Sequence, residues 1–202
     1  MRVRPVGPVP ERLLRTAGPL PEGGSPVPPH PYETVAPCKE GFVDRDGVRS
    51  WYAQYGESGP WLVFAPIFQI ANTHMLKGVL PYLSQHFRVM VMDLRGNGRS
   101  DRPTTQDAYS FDHYYADFVA VLDSLEIDRA AVVGISVTAM TAIRLAHEQP
   151  ERISHLVLVG GWMDRRLADA AAADAFAASL VRMRENWPAF LDVFFGIVFN
   201  EP

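Results

Sequence analysis

Between residues 42 and 161 the chain alternates short apolar runs with longer stretches of helical periodicity, and few folds accept such a pattern. Phe42 and Val43, then Asp44-Arg45-Asp46-Gly47, then residues 48–54 predict a hairpin closed by a glycine-containing turn. Residues 61–65, 88–93, 130–135 and 156–159 are brief and apolar, which predicts buried strands; Gly160 and Gly161 end the last. Between them lie amphipathic stripes. Met75, Leu76, Val79, Leu80 and Leu83 recur at helical spacing. Ser110 is placed to cap a helix whose face is Phe111, Tyr114, Tyr115, Phe118, Val121, Leu122 and Leu125. A third helix covers residues 138–149 and stops at Pro150. Strands alternating with such helices imply an α/β fold, a mainly parallel sheet flanked by helices on both faces.

Outside that span the pattern changes. Residues 1–40 hold ten of the 17 prolines and little that could pack, so they are expected to form a Pro-rich, disordered tail. The alternative for this tail is a docking segment for a proline-reading domain. Residues 41–161 form the expected core. From Trp162 to residue 202 only helical signals remain: Phe176, Leu180, Met183 and Trp187 share a stripe, and Pro188 opens a nearly all-apolar segment.

Charge and cysteine content narrow the partners. A net charge of −4 and a pI near 5.8 give no footprint for nucleic acid or anionic lipid. Cys38 is the single cysteine, so neither an internal disulfide nor a cysteine-based zinc cluster can form, and a reducing compartment fits. The most apolar stretch, residues 190–199, is about half the length that crosses a bilayer and contains Asp192. The N-terminus has Arg2 and Arg4 but no apolar run behind them. The expected location is the cytoplasm, with no cofactor and no metal.

One segment carries chemistry. Val132-Val133-Gly134-Ile135-Ser136-Val137-Thr138-Ala139 sets a serine at the junction of a strand and a helix. There a hydroxyl stands at the carboxyl end of the sheet, where open α/β folds bind ligands. The N–H of Val137 lies near a helix N-terminus and is suited to a developing oxyanion. Small residues two before and two after the serine let strand and helix approach closely. Gly134 meets that need and Thr138 does not, so a G-x-S-x-G pattern is broken at its last position. Taken alone, the segment is equally well read as a serine that caps a helix.

The run Asp93-Leu94-Arg95-Gly96-Asn97-Gly98-Arg99-Ser100-Asp101-Arg102-Pro103 follows the strand two elements upstream. Its glycines allow turns above the sheet, and Asp93 and Arg95 are placed to tie the loop by a charge-assisted hydrogen bond. A dinucleotide reading fails, because Asp101 stands where the third glycine belongs and Pro103 interrupts the helix that should hold a pyrophosphate. In this run, the serine segment after it and the helix ending Ala146-His147-Glu148-Gln149-Pro150, the chain resembles the α/β-hydrolase superfamily over residues 42–161. The resemblance implies that Ser136 is the nucleophile at an elbow, with Val137 and Ile67 as backbone oxyanion donors. Ile67 follows Ala65-Pro66, the residues matching a His-Gly pair in the superfamily.

The same resemblance implies two further strands, expected to be lacking here, with the acid after the seventh strand and the histidine after the eighth. Asp164 stands just past the sixth strand, where some members place the acid. Each of the six histidines (His30, His74, His86, His113, His147, His155) reads as a surface or packing residue. The chain is therefore expected to be truncated before its acid and histidine and nearly inactive by itself, with its sixth strand an open apolar edge. The expected function of the parent is hydrolysis of an ester, amide or similar bond in a small apolar substrate. A non-catalytic binding or signalling module on the same fold is the alternative, and a lyase or cofactor-free haloperoxidase a third.

Overall fold

The computed structural model describes residues 35–66, 71–161 and 185–190. The chain divides into two compact units, Met1–Glu33 and Thr34–Pro202, and every described residue belongs to the second. Most of the expected tail therefore lies outside the described residues. So does most of the expected helical segment after Trp162, apart from a turn at residues 187–190 where Asn186 Oδ1 accepts from Ala189 N at 3.1 Å.

Six strands build one sheet: β1 (Lys39–Arg45), β2 (Val48–Tyr55), β3 (Trp61–Phe64), β4 (Arg88–Met92), β5 (Ala130–Ile135) and β6 (Ile153–Val159). Their order is β1-β2-β4-β3-β5-β6. The β1–β2 and β2–β4 pairings are antiparallel, and β4–β3, β3–β5 and β5–β6 are parallel. The mainly parallel sheet expected from the alternation is what forms. At the hairpin, Asp46 and Gly47 both take positive φ (58° and 78°), as a two-residue type I′ turn requires, and Asp44 Oδ1 accepts from Gly47 N.

Period-two alternation along the strands feeds two cores, one on each face. Val63, Met90 and Val132 point with Tyr52 toward Phe118, Val121 and Leu122 of α2 (Phe111–Ser124) and Leu145 of α3 (Ala139–Glu148). Leu62, Val89, Val91 and Val133 point the other way, with Trp51, onto Leu76 and Leu80. Here the structure departs from the expected helix: residues 73–83 form a 3₁₀ turn (Thr73–Leu76) and then a four-residue α1 (Leu80–Leu83). Pro81 sits in the first turn of α1, where its missing N–H costs nothing, and Gly78 lies between the two pieces. At the other end of the order, β6 is the edge strand among the described residues, and Leu156 to Val159 are 38–51% exposed.

One polar cluster interrupts the apolar layer. Asp117 of α2 is 1% exposed at its side chain and takes Arg95, 2% exposed, in a two-pronged pair: Nε to Oδ2 at 2.6 Å and Nη2 to Oδ1 at 2.7 Å. Arg45 of β1 adds a third contact, Nε to Asp117 Oδ1 at 2.7 Å. Arg95 also donates to the carbonyl of Ala108. The cluster ties the loop after β4 to both β1 and α2.

Asp117→Ala leaves the buried Arg95 guanidinium without its carboxylate, while Arg45 keeps Asp46, and should lower unfolding free energy by about 3–5 kcal/mol in a guanidinium chloride titration. An apolar pair, Arg95→Met with Asp117→Leu, should recover most of that loss. A second tie is exposed: Asp101 accepts from the Arg49 side chain (3.0 and 3.1 Å) and from Arg49 N. These bonds hold the Asp101 carboxyl below its ordinary value. A lowered folded-state pKa adds stability above the unfolded pKa, near 4, which is lost as pH falls through the lower folded value. Urea midpoints of wild type and Asp101→Asn should therefore differ at pH 7 and converge as the pH drops below about 4.

Candidate active site

β5 ends at Ile135, residues Ser136–Thr138 make one 3₁₀ turn, and α3 begins at Ala139. Ser136 is thus the hinge between strand and helix, at the carboxyl end of a parallel strand. Its φ is 55°, a left-handed conformation that costs a non-glycine residue roughly 1–3 kcal/mol. The turn leaves Ser136 exposed while its neighbours on both sides are partly or fully buried. Close approach of strand and helix enforces it: a Cβ on Gly134 would lie 2.7 Å from the Ala139 Cα and 3.0 Å from the Ala142 Cβ. Only glycine fits there.

Thr138 does not crowd that contact. Ala139, with Ala142 and Gly161, supplies the small surface one residue later than the serine pattern led us to expect. Thr138 instead turns its hydroxyl back across the elbow, donating to the Ile135 carbonyl at 2.8 Å and accepting from Ile135 N at 3.2 Å. This buried hydroxyl closes a ring around Ser136. A threonine read only as a misfit is thus a local clamp.

Val137 follows the serine in the same turn, where backbone N–H groups have no partner within the helix. On the facing strand, β3 and β5 run parallel with Phe64 beside Val133, and Ala65 N donates to Val133 O at 2.8 Å. Pro66 therefore comes up next to the end of β5. Ile67 lies outside the described residues.

The loop after β4 is held differently from the expected Asp93–Arg95 tie. Asp93 is buried and accepts from Thr73 N (2.9 Å) and Arg99 N (3.0 Å), while Arg95 turns to Asp117. Gly98 packs directly on the Asp93 carboxylate, leaving no room for a side chain. Ser100 Oγ donates to Asp93 O and accepts from Trp51 N, stitching the loop to β2. In the sequence Asp117 is hidden among the apolar residues of the α2 face. A carboxylate three residues after Tyr114 and four before Val121 was the available signal.

None of the five described histidines belongs to β5 or to the turn that carries Ser136. His155 pairs with Ala131 in the β5–β6 register, five residues below Ser136, about 16 Å along the strand. His147 is in the last turn of α3, roughly 12 Å along the helix axis. His86 precedes β4 at the opposite end of the sheet, and His113 Nδ1 contacts Arg45 Nη2 at 2.9 Å. His74 belongs to a hollow of about 350 Å³ lined also by Trp51, Tyr55, Lys77, Asp93 and Arg99. No residue of β5 or the elbow lines that hollow, and burial pushes its Tyr55 phenol up, away from neutrality. A smaller cavity, about 260 Å³, does touch the elbow. Pro66, Leu94, Tyr109, Phe111, Tyr114, Val137, Thr138 and Thr141 line it. Among the described residues no group of three or more His, Cys, Asp or Glu side chains could hold a metal ion, and no helix is long and apolar enough to cross a membrane.

A parallel sheet with a strained serine between strand and helix defines a hydrolase-type α/β scaffold, and comparison with known proteins agrees. Residues 70–196 match the α/β hydrolase fold family, and the chain belongs to it. It is similar to epoxide hydrolase 4 of Mus musculus, 32% identical over 121 residues, which is 58% of this chain and 33% of the relative. It is also similar to strigolactone esterase RMS3 of Pisum sativum, 34% identical over 107 residues, 52% of this chain and 40% of the relative. A solved hydrolase of Pseudomonas aeruginosa superposes with a TM-score of 0.61 at 31% identity, over 77% of this chain and 58% of that one. The chain spans a third to two fifths of the length of these two curated relatives.

The clamp at the elbow gives a stability test. Thr138→Val keeps the volume and removes the hydroxyl, and should cost about 1–2 kcal/mol in a urea titration. Thr138→Ser, which keeps the hydroxyl, should stay within about 0.5 kcal/mol of wild type. Sequence alone limits the cost of Thr138→Gly to about 1 kcal/mol through helix propensity; the clamp raises that expectation by its own contribution.

Proposed function

We propose that Ser136 is the nucleophile of a hydrolase acting on an ester, amide or similar bond of a small, largely apolar substrate. The observation that carries this is the exposed Ser136 at φ 55°, lifted off the end of β5 at the start of a helix. Its Oγ would attack the substrate carbonyl carbon, forming a C–O bond while the carbonyl π electrons move to oxygen. The N–H groups of Val137 and Ile67 would stabilise that oxyanion. Collapse expels the alcohol or amine, which takes the serine proton through a base, and water then cleaves the acyl-serine.

Serine also discriminates among the activities named for the relatives. Attack of a serine oxygen on an epoxide carbon would leave an ether, which water does not readily cleave, so turnover would stop. Attack on an acyl carbon leaves an ester, which water cleaves. The side chain at the elbow therefore favours the esterase kind of chemistry over epoxide opening.

The base must be a residue that can reach Ser136. Of the six histidines, none of the five described ones sits at the elbow, and residues 162–202 contain no histidine. We therefore expect the 202-residue chain to show no appreciable labelling by a fluorophosphonate probe over an hour. Any longer natural form should label, and Ser136→Ala should abolish that labelling. Rapid Ser136-dependent labelling of the short chain would show that one of its own histidines serves as base. A folded longer form that stayed unlabelled would favour a non-catalytic binding module instead.

A further inference from the structure

We propose that the cavity beside the elbow is a binding subsite for a compact group of aromatic-ring size that carries one polar atom, and that the Thr141 hydroxyl recognises that atom. The proposal rests on the reading of Ser136 as nucleophile for its place in a reaction, and names the part of the substrate that would lie next to the bond being cut.

Size sets the first limit. About 150 Å³ suffices for a benzene molecule in an apolar protein cavity, so roughly 260 Å³ takes one ring and a few further atoms. Tyr109, Phe111 and Tyr114 give the walls aromatic faces, and Leu94 and Pro66 add aliphatic ones. Such a lining favours a flat apolar group over a sugar or a charged chain.

The polar atoms of the lining set the second limit. Tyr109 Oη donates to the Pro103 carbonyl at 2.7 Å, and the Thr138 hydroxyl is taken up by both backbone groups of Ile135. Tyr114 has a partner of its own. Thr141 differs from these. It is 4% exposed, it lines the cavity, and its hydroxyl bonds to no other described residue. Its hydroxyl is not among the buried unsatisfied atoms, so it is open to the cavity and available to a polar ligand atom. Thr141 lies one helical turn after Val137, so the free hydroxyl and the expected oxyanion donor share one side of the α3 entry.

Phenol and toluene test this, since they differ by one hydroxyl. Titrated into the full 202-residue chain, both should shift the NMR methyl signals of Val137 and Thr141, with phenol binding about fivefold tighter for one added hydrogen bond. Thr141→Val should bring the two affinities within about twofold, and Thr141→Ser should restore the preference. Equal affinities in wild type, an unchanged preference in Thr141→Val, or shifts confined to residues outside the cavity would each overturn the proposal. The readout involves no bond cleavage, so its failure leaves the nucleophile reading to the fluorophosphonate experiment. Failure of that experiment in turn leaves phenol recognition intact.

Discussion

The contact of Gly134 with Ala139 and Ala142 governs the geometry of this end of the molecule. Because β5 and α3 approach to the distance that only a missing Cβ permits, the chain must reverse within three residues. Ser136 absorbs the reversal by taking a positive φ, and the same reversal leaves it exposed. Strain of this kind persists only where the surroundings over-determine it. Here the determinants are the packing of α3 on β5 from one side and the Thr138 hydroxyl, bonded to both backbone groups of Ile135, from the other.

The loop after β4 is the second fixed piece, and it is held by polar groups. Asp93 gathers the amides of Thr73 and Arg99, Ser100 reaches β2, and Arg95 is drawn down to Asp117. Buried charges repay their desolvation only with well-formed partners, and the Arg45–Asp117–Arg95 cluster supplies three short contacts to one carboxylate. Its consequence for the site is positional. Through Arg95 and Ala108 the loop is anchored beside α2, which sets Leu94 and Tyr109 as walls of the cavity that Val137 and Thr138 close.

Fold membership restricts the chemistry without choosing it. The relatives carry names from epoxide hydrolase to esterase, and a scaffold that serves both leaves the choice to the side chain at the elbow and the walls around it. Among the described residues, a serine at the elbow and an aromatic wall beside it bear on that choice.

The amino-acid sequence by itself determined the layered α/β architecture, since period-two and period-3.6 patterns dictate which faces must be buried, and the four apolar runs and the hairpin ahead of them all form strands. It also marked Ser136, because a serine between a β-branched run and a helix is a local feature. The pairing of Arg95 with Asp117 in place of Asp93, the turn of Thr138 toward Ile135 and the free hydroxyl of Thr141 were decided by the tertiary structure. So was the breaking of the helix over residues 73–83, where Gly78 and Pro81 act together with packing on β3 and β4. The physical reason is common to these cases. A side chain's partner depends on distances between elements far apart in sequence, and those distances are fixed only once the sheet and its helices have packed.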